Sequence, residues 1–272
     1  MIDKTIKLLQ YIFLGIVQGF AEPIPISSSG HLVIIKNLIK ADALNDLNFE
    51  IIVNFGSLLA IVFFYRKTII KVIKDFFLYI KTKKEEYKTN FKYCLLIVVA
   101  TIPAGIVGLL FKDKIEMLAG NLKIIGIALL ITALALFVVR KIDGNKTEKD
   151  MTFWDAIKIG LFQTVALFPG ISRSGSTIVG GLLSDLKKDT AVTFSFMLYI
   201  PISLATMALG VKDLITTPNI SDLLLPYLLG MIASAIVTYF SIRLFIDIIK
   251  KKKLIYFVIY CLIVGTLVLI FM

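Results

Sequence analysis

Long apolar runs set the strongest limit on what this chain can fold into. Apolar stretches of bilayer-spanning length, about 17–20 residues, recur from one end of the sequence to the other. Hydrophobic residues make up 58% of its 272 positions, whereas an ordinary soluble domain is about 45–50% apolar. The sequence therefore predicts an all-α polytopic membrane protein. Its apolar N-terminal stretch contains no small-residue cleavage site, so we expect no removable signal peptide.

Six apolar runs are interpreted as transmembrane helices, and two further apolar regions contain polar motifs. The six runs are residues 49–65, 92–111, 122–140, 190–210, 223–248 and 254–272, and the motif regions are about 8–40 and 155–185. Three cation-rich loops separate some of these runs, at residues 66–92, 140–158 and 243–253. We expect all three loops to face the cytoplasm, because Lys and Arg collect in cytoplasmic loops.

The formal net charge of +11 does not indicate a nucleic-acid partner. The cations lie in loops between apolar runs, and no aromatic-basic binding module accompanies them. Cys94 and Cys261 stand singly inside predicted spans, and His31 is the only histidine. The sequence therefore predicts neither a disulfide bond nor a cluster of Cys and His metal ligands.

One polar motif occurs twice in this apolar sequence, with the copies 145 residues apart. Seven identities align without a gap, which pair Gly15, Gln18, Ala21, Ile26, Ser27, Ser29 and Gly30 with Gly160, Gln163, Ala166, Ile171, Ser172, Ser174 and Gly175. The alternative is chance similarity between apolar helices that carry small residues at packing positions. Seven ungapped identities around Ser-x-Ser-Gly favour a true internal repeat.

If the basic loops are cytoplasmic, the number of membrane crossings between them shows that neither motif region crosses the membrane once. Each region must begin and end on one side of the membrane, and the two must enter from opposite faces. This pattern predicts an inverted-topology repeat, in which each half has one re-entrant helical hairpin plus three transmembrane helices. The chain, residues 1–272, would then be a single integral membrane domain, with repeats at about 1–145 and 146–272.

In both copies Ser-x-Ser-Gly stands where a new half-helix would begin after a break. Two such helix N-termini offer free N–H groups and positive dipole ends, which favour phosphate as a ligand. Arg173 lies in the second copy, where an arginine costs at least about 2.5–3.5 kcal/mol on insertion scales. Its planar fork matches phosphate. A structural ion pair with Glu22 is the alternative interpretation.

Two ionisable residues of the first copy are candidates for proton transfer. His31 follows Ser27 by four residues and Ser28 by three, a spacing that places them on one helix face. Imidazole is suited to taking a proton from serine near neutral pH. Glu22 has Gln18 one turn before it, and three roles stay open for its carboxylate: binding a divalent cation, holding Arg173 or moving a proton.

Two residue runs match a known family pattern. The first is Gln18-x-x-x-Glu22 followed by Pro25-Ile-Ser27-Ser28-Ser29-Gly30-His31, and the second is Pro169-Gly170-Ile-Ser172-Arg173-Ser174-Gly175-Ser-Thr177. In these runs, and in length and repeat layout, the chain resembles the bacitracin-resistance family of undecaprenyl-diphosphate phosphatases. Gln18 replaces a commoner Glu, which weakens a two-carboxylate metal site. Ser29 stands where Thr is frequent, and it keeps the hydroxyl.

The resemblance implies hydrolysis of undecaprenyl diphosphate to undecaprenyl phosphate and inorganic phosphate, which recycles the lipid carrier of peptidoglycan synthesis and confers bacitracin resistance. It also implies a multi-pass protein of the bacterial plasma membrane, with its active site open to the outer face. A divalent cation, Mg²⁺ or Ca²⁺, is implied as cofactor, with Glu22 as its ligand.

The resemblance also assigns roles to residues. Ser28 is the implied nucleophile, with Ser27 as the second choice. His31 or Glu22 is the implied base, and Arg173 is the implied phosphate-binding residue. Substrate binding is assigned to Gln18, Ser29, Gly170, Ser172, Ser174 and Thr177. Direct attack by activated water, with the serines only binding substrate, is the alternative mechanism.

A polyprenyl-phosphate transporter or flippase is the alternative function. Inverted repeats with broken helices are typical of alternating-access carriers. The run from Ser27 to His31 beside Arg173 favours an enzyme, because a carrier needs phosphate recognition but no nucleophile with a base. The sequence leaves the prenyl tail-length preference and the oligomeric state open, a homodimer included.

Overall fold

The computed structural model describes residues 2–40, 47–215, 220–251 and 253–272. Helices account for nearly all of the regular structure in these ranges, which confirms the all-α prediction. In chain order they are α1 (Ile2–Ala21), α2 (Ser28–Leu38), α3 (Leu47–Phe64), α4 (Arg66–Thr82), α5 (Glu85–Leu110), α6 (Lys112–Ala119), α7 (Leu122–Val139), α8 (Phe153–Val165), α9 (Arg173–Leu183), α10 (Lys188–Ile215), α11 (Ile220–Lys250) and α12 (Ile255–Phe271).

Several of these helices are long and apolar enough to cross a membrane. Within the described ranges α5, α7, α10 and α11 each pass on their own, and α3 passes when it is taken together with α4. The apolar helix α12 has 17 residues, which is just short of that length. The predicted spans therefore coincide with helices, and the chain is a multi-pass membrane protein.

The segment after α3 differs from the basic loop that the sequence predicts. Residues 66–82 form α4, which bends by 75° away from α3, and α5 already begins at Glu85. The Phe76 ring of α4 stacks on the Phe91 ring of α5 with their centroids 5.2 Å apart. The apolar residues of α4 recur every three to four positions, which is typical of an amphipathic helix. The lysines between them led to the interpretation of this segment as a loop. The third predicted basic loop is also mostly helical, because α11 continues to Lys250. Residue 252 of that loop and residues 216–219, between two predicted spans, lie outside the described ranges.

Each motif copy folds into two helices that pack together across a break. The first tip (residues 22–27) joins α1 to α2, and the second tip (residues 166–172) joins α8 to α9. Both α2 and α9 contain 11 residues. At 1.5 Å per residue such a helix is about 16 Å long, whereas the hydrocarbon core is about 30 Å thick. Neither second helix can therefore cross the membrane alone.

The first aligned glycine of each motif copy lies at a close contact between helices. Helix α1 packs on α11 and α8 packs on α5. A Cβ atom on Gly15 would lie 2.2 Å from the Gly230 carbonyl oxygen, and one on Gly160 would lie 2.6 Å from the Ala100 carbonyl oxygen. Only glycine allows the backbones to approach this closely. These contacts fix both hairpins against helices from the opposite half of the sequence.

Candidate active site

Both tips end in a serine that caps the helix after it. The Ser27 hydroxyl accepts the Gly30 N–H at 3.3 Å where α2 begins, and the Ser172 hydroxyl accepts the Gly175 N–H at 3.1 Å where α9 begins. Serine is among the best residues for this position, because its oxygen satisfies a free N–H of the first turn. The prediction that a half-helix begins at each Ser-x-Ser-Gly is confirmed.

The two tips are in direct contact with each other. The Ser174 hydroxyl donates to the Ile24 carbonyl oxygen at 3.3 Å. A Cβ atom on Gly30 would lie 3.5 Å from the Gly170 Cα atom. Gly170 has a φ of +87°, a left-handed conformation that glycine adopts without a steric cost. The N-termini of α2 and α9 therefore converge on one region inside the helical bundle.

Glu22 connects three side chains of this region. Its Oε1 atom accepts from Arg173 Nη2 at 2.6 Å. Its Oε2 atom accepts from the Ser28 hydroxyl at 2.5 Å and from Gln18 Nε2 at 2.8 Å. The Glu22 side chain is only 6% exposed, so this set of partners is what makes a buried carboxylate tolerable. The ion pair given above as an alternative role for Arg173 is therefore present.

A cavity of about 160 Å³ adjoins this cluster. The two tips and the first residues of α2 and α9 contribute Glu22, Ile24, Ser27, Ser28, Ser29, Ala166, Ile171, Ser172, Arg173 and Ser174 to its lining, and α3 and α10 contribute Asn54, Tyr199, Ile202, Ser203 and Thr206. Hydroxyls, one carboxylate and one guanidinium thus line a cavity among apolar helices. Such a set of polar groups is typical of a ligand site rather than of a packed membrane core.

Arg173 is held from more than one side. Its guanidinium lies 4.0 Å from the centre of the Tyr199 ring. Its Nη1 atom donates to the Ser195 carbonyl oxygen at 3.5 Å, while Nη2 contacts Glu22. An aromatic face attracts a guanidinium, and the planar fork keeps further N–H donors for an anion.

Both ring nitrogens of His31 have hydrogen-bond partners other than the Ser28 hydroxyl. Its Nδ1 atom is 2.8 Å from the Ser27 carbonyl oxygen and its Nε2 atom is 2.8 Å from the Tyr260 hydroxyl. A carbonyl oxygen can only accept, so Nδ1 carries a proton, and in the neutral imidazole Nε2 then accepts from the Tyr260 hydroxyl. His31 does not line the cavity. The serine that His31 contacts is Ser27, through its carbonyl oxygen, and Ser27 precedes α2 with a φ of +69°.

The other predicted binding residues divide into two groups. Ser29, Ser172 and Ser174 line the cavity, whereas Gln18, Gly170 and Thr177 do not. Gln18 donates to the Glu22 carboxylate, and Gly170 forms the turn of the second tip. The Thr177 hydroxyl lies 2.6 Å from the Ser195 hydroxyl, behind Arg173.

Sequence reasoning missed the contribution of helices outside the two motif copies. Asn54, Tyr199 and Ser203 line the cavity from α3 and α10, and Tyr260 reaches His31 from α12. The only signal in the sequence was a polar side chain inside an apolar run, of which there are many. No spacing connects these residues to the motif.

The donor set around Glu22 fits a divalent cation that arrives with its own oxygen ligands. No group of three or more His, Cys, Asp or Glu side chains forms among the described residues. Mg²⁺ is commonly bound through one or two carboxylates plus substrate phosphates. Glu22 is the residue that would hold such a cation, with neighbouring serine hydroxyls as further oxygen ligands.

Fold and site together define a class: a multi-pass helical membrane protein with a buried hydroxyl, carboxylate and guanidinium cluster between two helix breaks. A family model described as "Bacitracin resistance protein BacA" matches residues 11–267. The chain belongs to this family. The resemblance found in the two motif runs is thereby confirmed over nearly the whole sequence.

Curated relatives match the chain over nearly their full length. "Undecaprenyl-diphosphatase 2" of Bacillus thuringiensis is 46% identical over 270 residues, which cover 99% of this chain and 100% of that protein. "Undecaprenyl-diphosphatase 1" of Bacillus licheniformis is 45% identical over 265 residues, with 97% and 98% covered. The protein of the same name from Halalkalibacterium halodurans is 43% identical over 262 residues, with 96% and 95% covered.

Proposed function

We propose that this protein hydrolyses undecaprenyl diphosphate to undecaprenyl phosphate and inorganic phosphate. The reaction recycles the lipid carrier of peptidoglycan synthesis and underlies resistance to bacitracin. One observation carries the proposal. The Ser28 hydroxyl donates a hydrogen bond to the Glu22 carboxylate, which is also paired with Arg173, and all three residues line a cavity between two helix N-termini. Relatives at 43–46% identity that are named undecaprenyl-diphosphatases support the substrate.

Substrate binding is the first step that these residues perform. Arg173 and the N-terminal N–H groups of α2 and α9 bind the phosphate oxygens, because helix N-termini and guanidinium groups both favour anions. The hydroxyl groups of Ser29, Ser172 and Ser174 belong to the lining of the same cavity. The prenyl tail remains in lipid between the helices. Arg173 then faces the charge that develops on the terminal phosphate during reaction.

Ser28 is the nucleophile and Glu22 is its base. The Ser28 oxygen attacks the terminal phosphorus while its proton passes to Glu22 Oε2. The bond from that phosphorus to the bridging oxygen breaks, and undecaprenyl phosphate leaves with the bridging oxygen. The leaving phosphate takes the proton from Glu22, which is then a carboxylate again and can deprotonate a water molecule. This water attacks the phosphoserine, the bond from phosphorus to the Ser28 oxygen breaks, and inorganic phosphate is released. The Ser28 oxygen takes back the proton from Glu22, which restores the starting state. Ser27 is the less suitable nucleophile because its oxygen caps α2.

Two further residues support this chemistry without touching the reacting atoms. Gln18 donates to Glu22 Oε2 and so orients the carboxylate. His31 donates to the Ser27 carbonyl oxygen and so holds the first tip in its left-handed turn. Glu22 would hold a divalent cation, Mg²⁺ or Ca²⁺, which when bound would neutralise negative charge on the diphosphate.

The same reasoning extends to topology. The α1–α2 and α8–α9 hairpins enter the membrane from opposite faces, and the halves 1–145 and 146–272 form an inverted repeat. Support comes from the matching serine caps and the matching glycine contacts of Gly15 and Gly160. In this proposal the chain resides in the bacterial plasma membrane and its cavity opens to the outer face, as the family resemblance implies.

A carrier of polyprenyl phosphate is the second candidate. Two half-helix N-termini that meet at a buried cavity are also the typical substrate site of alternating-access transporters. A carrier would use Arg173 and the helix N-termini but would not need the contact of Ser28 with Glu22.

The test is phosphate release from undecaprenyl diphosphate by the purified protein in detergent, with Mg²⁺, with Ca²⁺ and with a chelator. Arg173→Ala should lower release at least about 100-fold, because a charge-stabilising donor is lost. Arg243→Ala, at an exposed arginine on α11, is the matched control and should match wild type. Wild-type release no faster than that of Arg173→Ala, together with transfer of lipid phosphate across vesicles, would establish the carrier instead.

A further inference from the structure

A second set of polar groups faces the cavity from outside both motif copies. The Tyr199 hydroxyl lies 2.6 Å from Asn54 Oδ1 and 2.8 Å from the Asn54 backbone oxygen. The Ser203 hydroxyl lies 2.8 Å from the same Oδ1 atom. All three side chains line the cavity, and the Tyr199 ring is the aromatic face under Arg173.

The amide oxygen of Asn54 faces both hydroxyls: Tyr199 shares its one proton between Oδ1 and the Asn54 backbone oxygen, and Ser203 donates to Oδ1. A hydroxyl can donate to an amide oxygen, and Tyr199 and Ser203 both approach Oδ1 within hydrogen-bond distance. This arrangement leaves both N–H donors of Nδ2 for another partner. No described residue accepts from Asn54 Nδ2, and Asn54 lines the cavity. A pair of oriented, unused donors beside Arg173 is what an anion requires.

We propose that Asn54 binds the diphosphate through Nδ2 and that Tyr199 positions both Asn54 and Arg173. The inference rests on the proposed function, because it names a further binding residue of the same site. A diphosphate has more acceptor oxygens than Arg173 can satisfy. Asn54 supplies donors from α3, a helix that neither motif copy includes.

Tyr199 links the two anion-binding groups through different parts of one side chain. Its ring supports the Arg173 guanidinium, and its hydroxyl holds the Asn54 amide. The two contributions can be separated, because Tyr199→Phe removes the hydroxyl alone and Tyr199→Leu removes the ring as well. Asn54→Asp keeps the shape of the side chain but replaces the two donors with a charge that repels phosphate.

The experiment measures KM and kcat for undecaprenyl diphosphate, and binding of inorganic pyrophosphate by calorimetry, on the purified full chain. Asn54→Asp should raise KM and the pyrophosphate Kd by at least about 10-fold, because hydrogen bonds to a charged ligand are lost. Tyr199→Phe should raise KM by about 3- to 10-fold with little change in kcat, since only the amide is released. Tyr199→Leu should also lower kcat, because Arg173 loses its aromatic support.

Tyr256→Phe, at a half-exposed tyrosine on α12, is the matched control and should match wild type in both assays. A wild type that neither releases phosphate nor binds pyrophosphate would reject the proposed function itself. An active wild type with KM and Kd within about twofold in Asn54→Asp would overturn the inference alone. If Asn54→Asp does not fold, Tyr199→Phe decides, and a KM equal to wild type would overturn the inference in the same way.

Discussion

At the scale of single residues, the geometry of Glu22 separates two adjacent serines. Its Oε2 atom accepts a hydrogen bond from the Ser28 hydroxyl, whereas the Ser27 oxygen accepts from the Gly30 N–H as the cap of α2. Glu22→Gln keeps the size of the side chain but removes the base and the charge that faces Arg173. We expect kcat to fall by about 100- to 10,000-fold, the usual contribution of a general base. Phosphate release at saturating substrate measures this, and a loss of less than about threefold would contradict the role of base.

His31 should matter less than Glu22 for the chemical step. Its two ring nitrogens contact the Ser27 carbonyl oxygen and the Tyr260 hydroxyl, whereas the Ser28 hydroxyl donates to Glu22. We expect His31→Ala to lower both the melting temperature and kcat, and Tyr260→Phe to do so more weakly. The kinetic loss should stay well below that of Glu22→Gln. An equal loss of kcat with an unchanged melting temperature would make His31 the base.

At the scale of elements, two aligned glycines hold the hairpins against helices of the opposite half. A methyl group at Gly160 would meet the backbone of α5, whereas one at Gly105 of α5 would meet nothing within 4 Å. Gly160→Ala should therefore destabilise the protein by about 1–3 kcal/mol, the range for overpacking. Gly105→Ala is the matched control and should leave stability equal or slightly higher. Thermal unfolding in detergent compares them, and equal melting temperatures would contradict the close packing of α8 on α5.

Comparison of individual elements explains how much the sequence could predict. Ser, Gly and Pro residues at the tips are a local signal for a helix break, so both tips and the helices that begin after them were predictable. Helix α4 was not predictable in the same way, because its apolar residues are interspersed with lysines that are also typical of a cytoplasmic loop. Asn54 and Tyr199 meet only because α3 packs on α10, and no local pattern records a contact between residues so far apart in sequence. The contact of His31 with the Ser27 carbonyl oxygen was also not predictable, because it depends on the left-handed conformation of Ser27 before α2.

At the scale of the whole molecule, the proposed inverted repeat predicts which loops face which side. Cys94 and Cys261 are free cysteines and can be replaced by alanine to give a background for labelling. Single cysteines at Lys83, between α4 and α5, and at Lys114, in α6, should then react with a membrane-impermeant thiol reagent from opposite sides. We expect Lys114→Cys to react in intact cells and Lys83→Cys only after permeabilisation. Reaction of both positions in intact cells would contradict the topology.

The central claim is that Ser28, activated by Glu22 and faced by Arg173, attacks the terminal phosphate of a prenyl diphosphate. The most direct measurement is the initial rate of phosphate release from saturating undecaprenyl diphosphate by Ser28→Ala beside Ser27→Ala. The account predicts a loss of at least about 1,000-fold for Ser28→Ala, equivalent to about 4 kcal/mol of barrier, and a clearly smaller loss for Ser27→Ala. A Ser28→Ala protein that releases phosphate at the wild-type rate would contradict the account.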